Sequence, residues 1–243
     1  DFKTTVVHAT PNYMLHVAGK MGELGFTVGE LSLRKAFLGA EPFSENARKK
    51  IEKHFNIDVY NCYGLSEMNG PGVAMECEYK DGLHIWEDSY IVEIIDPATG
   101  KVLPDGKEGE LVLTTLKRKA TPLLRYRTRD LTSIRRSSCP CGRTHRRISR
   151  ITGRTDDMLI INGVNVFPSQ IEEVLMKKPA VGTNYQIELN TKDELDRLTV
   201  KVEIYAKLFH GSMKELETLR DELRDELKST ILVGADVEIH EPG

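Results

Sequence analysis

The sequence predicts an α/β parallel-sheet subdomain, then a small antiparallel β-barrel-like region, and then an α+β C-terminal domain of βαββαβ order. Three observations support this fold class. Strand-like and helix-like segments alternate near the N-terminus, short strands separated by turn residues begin near residue 84, and a mixed α+β pattern follows residue 155. We expect one domain over 1–155, with the sheet in 1–83 and the barrel-like region in 84–155, and a second domain over 156–243.

The first part of the chain alternates strands and helices. TTVVHA, LRKAFLGAEP and IDVYNCYG are predicted strands, because apolar and β-branched residues dominate them and turn residues flank them. Between them, Thr10 and Pro11 open one helix, and a second covers 44–55 with Ile51 and Phe55 on its apolar face. The order βαβαβ implies a parallel sheet.

The second and third parts differ from the first in their turns. From residue 84 the strands HIWED, YIVEII and GELVLTTL are separated by Pro, Asp and Gly turns at 96–100 and 104–106, which favours an antiparallel arrangement. After residue 154 the pattern predicts strand MLIING, a helix from Pro168, strands NYQIEL and RLTVKVEIY, a charged helix from about Met213 to Leu227, and strand ADVEIH. That order suits a compact domain of about ninety residues.

Composition narrows the possible classes of protein. With 243 residues, 40% of them hydrophobic, and a net charge of −3, the chain can bury a core and has no global field that attracts nucleic acid or an anionic membrane. No apolar run approaches the roughly eighteen residues of a membrane span, and no signal pattern opens the sequence. We expect a soluble, cytoplasmic protein. Four cysteines in such a chain do not make a disulfide scaffold, so close pairs indicate metal ligands.

Four polar segments follow or end predicted strands, where open α/β sheets bind ligands. They are Gly39-Ala40-Glu41-Pro42, Tyr63-Gly64-Leu65-Ser66-Glu67, Tyr126-Arg127-Thr128-Arg129-Asp130, and Gly153-Arg154-Thr155-Asp156-Asp157 followed by INGVNVFPSQIEE. Glycine lets backbone approach a flat ring, Tyr63 can stack on one, and Ser66 offers a hydroxyl to phosphate. Glu67 offers oxygens to Mg²⁺, Asp130 can accept two ribose hydroxyls, and Arg154 can fork onto phosphate. Singly, each segment is more typical of a turn, a core ring or a strand-end cap.

In this order and spacing, the four segments resemble the adenylate-forming acyl-CoA synthetase superfamily. The runs YGLSEMNGPGVAMEC, LLRYRTRDLT and GRTDDMLIINGVNVFPSQIEE are particularly similar to phenylacetate-CoA ligases, and the resemblance covers nearly the whole chain. It implies the C-terminal portion of an AMP-forming acid-thiol ligase that joins an arylacetic acid, above all phenylacetate, to coenzyme A through an acyl-adenylate. Benzoate, indoleacetate or another aryl carboxylate is the alternative substrate.

The resemblance also implies roles for residues around the nucleotide. Gly39-Ala40-Glu41-Pro42 and Gly64 would border the adenine of ATP or AMP, with Tyr63 stacked on the ring. Ser66 would face the α-phosphate. Glu67 would hold Mg²⁺, which neutralises charge while an anionic nucleophile approaches a polyanion.

The remaining roles concern the ribose and the C-terminal domain. Asp130 would bind the ribose hydroxyls, and Arg154 would steady ribose and phosphate. Asp156 would be the hinge of a C-terminal lid domain, and the Gly163 loop would line the channel for the pantetheine of CoA. The resemblance places a phosphate loop before residue 1 and a catalytic lysine shortly after the last residue, so the 243 residues alone should be inactive. A homodimer is compatible with the sequence.

The stretch from Lys117 to Arg154 is strongly basic, with thirteen Lys or Arg residues and one acidic residue. An insertion carrying Cys139-Pro140-Cys141-Gly142 lies within it and widens the spacing of the last two motifs relative to the superfamily. A zinc-containing nucleic-acid-binding module is therefore the rival hypothesis. Because Tyr126 is the only aromatic ring in the stretch, we favour a surface that attracts the phosphates of ATP and CoA. Convergence of the motif residues on one pocket would favour the ligase.

Three sulfurs and one imidazole make a second candidate site. Cys77, His84, Cys139 and Cys141 match a common ligand set for structural Zn²⁺, and Cys-x-Cys-Gly is a good half-site. The alternative is a buried Cys77, a hydrogen-bonded His84 and two exposed thiols. Cys62 follows a strand pattern and is expected in the core.

Overall fold

A computed structural model describes residues 3–68, 70–192, 195–205 and 213–241. Contacts divide the chain into two compact units. The first unit comprises Asp1–Pro42 and Arg48–Asp156, and the second comprises Phe43–Ala47 and Asp157–Gly243.

The helices and strands follow the predicted order for much of the chain. In the N-terminal part they are β1 Val6–Ala9, α1 Pro11–Leu24, β2 Lys35–Leu38, α2 Glu45–Phe55, β3 Asp58–Leu65, β4 Gly70–Glu76, β5 Leu83–Ile85, β6 Tyr90–Ile95, β7 Gly109–Thr115, β8 Tyr126–Thr132, β9 Ile134–Arg135, β10 Arg147–Ile148 and β11 Gly153–Arg154. In the C-terminal part they are β12 Leu159–Ile161, β13 Val164–Val166, α3 Pro168–Lys177, β14 Val181–Lys192, β15 Leu195–Ile204, α4 Met213–Ile231 and β16 Ala235–His240.

A seven-stranded mixed sheet dominates the first unit, in the order β1-β2-β3-β4-β5-β10-β9. The predicted βαβαβ order is confirmed, because β1, β2 and β3 pair in parallel. The prediction of a parallel sheet over 1–83 holds for β1, β2 and β3, whereas the sheet as a whole is mixed. The chain reverses in a short turn at Ser66–Met68, so β4 returns antiparallel to β3, and β5 and β10 continue antiparallel. The sheet therefore extends past residue 83, the expected end of this region.

The second sheet of the first unit is antiparallel, as expected, in the order β11-β8-β7-β6. It has four strands, and its end strands β11 and β6 do not pair with each other in the described part of the chain, so the barrel-like description is wrong. Apolar side chains from both sheets form one core, including Ala74 and Ile85 from the first and Leu111 and Leu113 from the second. Their burial removes apolar surface from water and fixes one sheet against the other.

In its described residues, the second unit contains a β-hairpin, a three-stranded sheet and two helices, α3 and α4. Sheet order is β14-β15-β16, with β14 antiparallel and β16 parallel to β15. The predicted βαββαβ order is confirmed with one addition, because β12 pairs with an unpredicted strand, β13. Asn162 and Gly163, with φ of 48° and 83°, make the two-residue turn that this hairpin requires. Helix α4 continues to Ile231, beyond the expected end at Leu227, because Leu223, Leu227 and Ile231 form one buried stripe.

The sequence signals at the helix starts are confirmed. The Thr10 side chain accepts a hydrogen bond from the Tyr13 amide, and Pro11 occupies the first turn of α1. The Ser44 hydroxyl accepts one from the Ala47 amide at the start of α2. Across the described ranges, no helix combines the length and apolar composition that a bilayer crossing requires.

Candidate functional site

A cavity of about 440 Å³ lies in the first unit at the carboxyl ends of β2 and β3. Most of the predicted binding residues line it, namely Ala40, Glu41, Pro42, Tyr63, Gly64, Ser66, Glu67, Asp130 and Arg154. They come from four separate segments of the chain, so the fold brings together motifs that the sequence holds apart. The cavity wall also contains residues that sequence reasoning missed, among them His8, Asn61, Arg150 and Ile151.

The turn after β2 is shaped by Gly39. A Cβ at this position would lie 2.1 Å from the Cys62 carbonyl oxygen, so only glycine lets β2 pass this close to β3. Gly39 itself is absent from the cavity lining, and its neighbours Ala40 and Glu41 form the wall. Glu41 accepts a hydrogen bond of 2.8 Å from the Asn12 amide at the start of α1, which anchors the turn to that helix.

A chain of hydrogen bonds crosses the cavity floor. The Tyr63 hydroxyl donates to Oδ2 of Asp130 at 2.5 Å, and the Arg154 guanidinium donates to Oδ1 at 3.1 Å. Arg154 also makes a bidentate contact with Asp156, donating from Nε to Oδ1 at 2.9 Å and from Nη2 to Oδ2 at 2.8 Å. One guanidinium therefore connects a carboxylate in the cavity to a carboxylate at the end of the first unit.

Burial controls the ionisation of this network. Asp130 is 8% exposed, and burial raises the pKa of its carboxyl although Tyr63 and Arg154 act to lower it. The pKa of the Tyr63 hydroxyl is raised by burial and by the charge of Asp130, so this group stays a donor. Asp156 is more exposed, and the hydrogen bond from Arg154 lowers the pKa of its carboxyl. A carboxylate has about four acceptor sites, and the side chains of Tyr63, Thr128 and Arg154 all interact with that of Asp130.

Ser66 and Glu67 lie in the short turn after β3, at the exposed mouth of the cavity. The Tyr126 hydroxyl donates a hydrogen bond of 3.3 Å to Oε1 of Glu67, which orients the carboxylate beside the cavity. A single carboxylate at the cavity suits Mg²⁺, which usually binds through one or two carboxylates together with substrate phosphates.

Two predicted site residues lie elsewhere. Asp156 is the last residue of the first unit and does not line the cavity. Gly163 occupies the tip of the β12-β13 hairpin in the second unit. The side chain of its neighbour Asn162 donates to the Asp196 carbonyl oxygen at 3.0 Å, and its amide oxygen accepts from the Asp196 amide at 3.1 Å. These bonds fix the hairpin tip to β15.

A separate cluster brings together Cys77, His84, Cys139 and Cys141, whose ligand atoms all lie within 4.8 Å of one another. Sγ of Cys77 is 3.6 Å from Sγ of Cys139, and Sγ of Cys141 is 3.4 Å from Nε2 of His84. Burial raises the pKa of the Cys77 thiol to about 11. Burial also acts to raise the pKa of Cys141, but hydrogen bonds with Arg143, Cys139 and Cys77 together outweigh it and lower that pKa to about 7. The expectation that Cys139 is exposed, part of the metal-free alternative, is wrong, because it is 7% exposed.

The basic stretch is largely neutralised by the fold. Eight of its thirteen cationic side chains form ion pairs with carboxylates that lie outside the stretch, namely Lys117, Arg125, Arg127, Arg135, Arg136, Arg146, Arg147 and Arg154. Arg147, for example, is 1% exposed and lies 2.7 Å from an Asp81 carboxylate oxygen. The charge density that motivates a nucleic-acid surface is therefore much lower in the folded chain than in the sequence.

Comparison with known families places these features in context. Residues 1–116 match the family described as AMP-binding enzyme, and residues 163–243 match the AMP-binding enzyme C-terminal domain. The chain is 49% identical to a phenylacetate-coenzyme A ligase of Aromatoleum evansii, covering 100% of this chain and 55% of that ligase. It is 43% identical to a phenylacetate-coenzyme A ligase of Thermus thermophilus, covering 100% and 58%. The chain thus spans about half the length of the curated relatives it matches.

Solved structures give the same picture. A 2-hydroxyisobutyryl-CoA ligase in the postadenylation state, in complex with R3-HIB-AMP, is similar with a TM-score of 0.92 and 30% identity, covering 99% of this chain and 52% of that one. A benzoate CoA ligase from Burkholderia xenovorans has a TM-score of 0.67 at 19% identity, covering 99% and 48%. The latter similarity concerns the fold.

Proposed function

The chain belongs to the family of AMP-binding enzymes that includes the phenylacetate-CoA ligases, and from this premise we propose that it serves the AMP-forming ligation of an arylacetic acid to coenzyme A. In this reaction the acid carboxylate attacks the α-phosphorus of ATP and pyrophosphate leaves. The CoA thiol then attacks the acyl carbon of the adenylate, and AMP leaves. The observation that carries the proposal is the cavity in which Tyr63, Asp130 and Arg154 meet.

Asp130 is the proposed ribose ligand. Its buried carboxylate is oriented from two sides by Tyr63 and Arg154, so it does not need to reorganise when two ribose hydroxyls donate to it. The Tyr63 ring lies in the cavity wall with its hydroxyl already bonded, which favours a face-on contact with adenine. The turn at Ala40 and Glu41 would border the other edge of the base.

The phosphate end of the nucleotide is assigned to the cavity mouth. Ser66 would donate its hydroxyl to the α-phosphate, and Glu67, oriented by Tyr126, would hold Mg²⁺. The ion would supply charge neutralisation at the phosphates. Arg154 would add a fixed positive charge beside ribose and phosphate.

The second half-reaction is assigned to the second unit. We infer that Asp156, where the first unit ends, is the hinge about which this unit rotates as a lid between adenylation and thioesterification. The Gly163 hairpin tip, fixed by Asn162 to Asp196, would line the path of the pantetheine arm. Arg154 contacts both Asp156 and Asp130. Nucleotide binding at Asp130 would therefore change the contacts of the proposed hinge residue.

Phenylacetate is the proposed acid, since four curated relatives at 43–49% identity are named as phenylacetate ligases. Benzoate and indoleacetate remain the alternatives within the same enzyme class. We propose a cytoplasmic enzyme that uses ATP, Mg²⁺ and CoA. No nucleic acid is required, and the paired arginines support this choice. Cys77, His84, Cys139 and Cys141 do not line the cavity and have no role in the proposed reaction.

The test is acid-dependent chemistry by the full-length native protein. With ATP and Mg²⁺ but no CoA, phenylacetate should stimulate pyrophosphate release, and adding CoA should yield phenylacetyl-CoA and AMP, followed by mass spectrometry. We expect kcat/KM to be highest for phenylacetate in a panel with benzoate and indoleacetate. A preference for another aryl acid would replace phenylacetate as the assigned substrate. Absence of pyrophosphate release with every acid would contradict the proposal.

A further inference from the structure

We propose that Cys77, His84, Cys139 and Cys141 form a closed structural zinc site that is separate from the nucleotide cavity. None of the four residues lines that cavity. The proposal concerns the stability of the first unit, so it can succeed or fail independently of the enzymatic activity.

The topology places the four donors together from three segments. Cys77 directly follows β4, His84 lies in the middle of β5, and the two other cysteines lie in the loop between β9 and β10. Strand β10 pairs antiparallel with β5, and Arg147 is the registered partner of His84. The cysteine loop therefore returns to the sheet beside the histidine.

Two donor separations are close to those around one ion and do not fit a disulfide. In a tetrahedral site with Zn–S of about 2.3 Å and Zn–N of about 2.0–2.1 Å, ligand atoms lie roughly 3.5–3.8 Å apart. The Cys77 to Cys139 sulfur separation is 3.6 Å and the Cys141 to His84 separation is 3.4 Å, within about 0.1 Å of this range. A disulfide requires about 2.05 Å, and all four cysteines of the chain are free thiols.

The surroundings also favour a structural ion. Cys77, His84 and Cys139 are buried, with exposures of 6%, 1% and 7%, and only Cys141 is partly exposed. Four protein donors leave no open coordination position, which is the arrangement of structural rather than catalytic zinc. Three thiolates around Zn²⁺ carry a net charge of −1, and Arg143, which interacts with Cys141, supplies a nearby positive charge.

The soft donor set selects the metal class. Thiolates and imidazole suit zinc and exclude the hard ions Mg²⁺ and Ca²⁺, which prefer oxygen. On binding, the three thiols would release their protons, and the ion would close the long loop from Cys77 to Cys139. The expected benefit is greater stability of the junction between β4, β5 and the β9-β10 loop.

The first experiment measures metal in the native protein, purified without chelator, by mass spectrometry. We expect one zinc per chain. Cys139→Ser should lose most of it, whereas Cys62→Ser should keep it, because Cys62 is equally buried but contacts His8 outside the cluster. A protein without zinc, or equal zinc in both variants, would overturn the proposal.

A second measurement covers the case in which Cys139→Ser does not fold. X-ray absorption at the zinc edge of the unmodified protein should show three sulfur ligands near 2.3 Å and one nitrogen near 2.0–2.1 Å. Removing the ion with a chelator should lower the thermal midpoint by at least about 5 °C, and Zn²⁺ but not Mg²⁺ should restore it. A shell of oxygen atoms, or removal of zinc without a change in midpoint, would contradict a structural zinc site.

Discussion

The nucleotide cavity and the cysteine cluster are built on the same unit but differ in how their polar groups are arranged. In the cluster, the ligand atoms of four side chains lie within 4.8 Å of one another, a spacing that suits one metal ion. In the cavity, polar side chains line about 440 Å³, a volume that suits a small molecule, and Tyr63 and Arg154 orient Asp130. The difference in space separates a candidate ion site from a candidate small-molecule site.

The largest expected effect in the cavity is that of Asp130→Ala. The change would remove two charge-assisted bonds to ribose, at about 1.5–3 kcal/mol each, so AMP affinity should fall roughly 10²- to 10⁴-fold. Zinc content should stay unchanged, because Asp130 is no part of the cluster. Calorimetry measures the affinity, and Asp88→Asn, an exposed carboxylate paired with Lys117 outside the cavity, is the control. An unchanged affinity in Asp130→Ala would rule out the ribose assignment.

The next largest effect is that of Asp156→Pro, which tests whether Asp156, bonded to Arg154, acts as the hinge. Asp156→Pro would fix φ near −65° and remove the carboxylate that Arg154 contacts. We expect one half-reaction to be spared and the other to slow at least about tenfold, in single-turnover assays of adenylation and thioesterification. Asp156→Asn is the control for the lost charge, since it keeps the backbone free. Equal loss of both half-reactions in the proline variant would remove the hinge role.

Sequence patterns were sufficient where the determinants are local. The helix start at Thr10 and Pro11 and the βαβαβ order depend on neighbouring residues, and the structure has them as predicted. Strand β4 was missed because GPGVAME contains glycine and proline that obscure its alternation. The barrel-like description failed for a different reason. Whether four strands close on themselves depends on twist and on the pairing of end strands, which no local pattern records.

In the candidate sites, too, local sequence patterns do not predict contacts between residues that are distant in the chain. The bond between Tyr63 and Asp130 joins residues 67 positions apart, so no spacing rule predicts it. Gly39 was expected to admit a ligand ring, but its missing side chain admits the Cys62 carbonyl of the neighbouring strand. Seven of the eight ion pairs of the basic stretch likewise depend on carboxylates that are distant in sequence, the exception being the pair of Arg154 with Asp156. Sequence reasoning identified the chemical groups, while their partners required the fold.

Tyr63→Phe should have a smaller effect that separates stability from binding. The ring, and with it the proposed stacking surface, is retained, while buried Asp130 loses one donor. We expect the free energy of unfolding to fall by about 1–3 kcal/mol and nucleotide affinity to fall less than tenfold. Chemical denaturation and calorimetry measure the two quantities. A loss of affinity as large as that in Asp130→Ala would mean that the hydroxyl contacts the ligand directly.

The smallest expected effect is a pH dependence of adenosine affinity, which distinguishes the cavity from the cysteine cluster. Burial raises the pKa of Asp130 above the ordinary 3.8, so acidification should protonate it early and weaken its acceptance of ribose hydroxyls. Adenosine is the ligand of choice, because it carries these hydroxyls without a titrating phosphate. Its affinity should fall several-fold as the pH drops through the folded pKa of Asp130, and Asp130→Asn, already weak, should show no such change.

The contribution of Asp130 to folding stability should change with pH in the direction opposite to adenosine affinity: it should increase as the pH falls. Because the folded pKa of Asp130 exceeds the unfolded value, its contribution to stability is present below pH 3.8 and is lost as the pH rises through the folded pKa. Asp156 has a lowered pKa, so its contribution is present above 3.8 and is lost only at lower pH. Acid also releases zinc from thiolates, so zinc is measured at every pH. A pH dependence of adenosine affinity that survives in Asp130→Asn and follows zinc loss would assign the effect to the cluster and contradict the separation of the two sites.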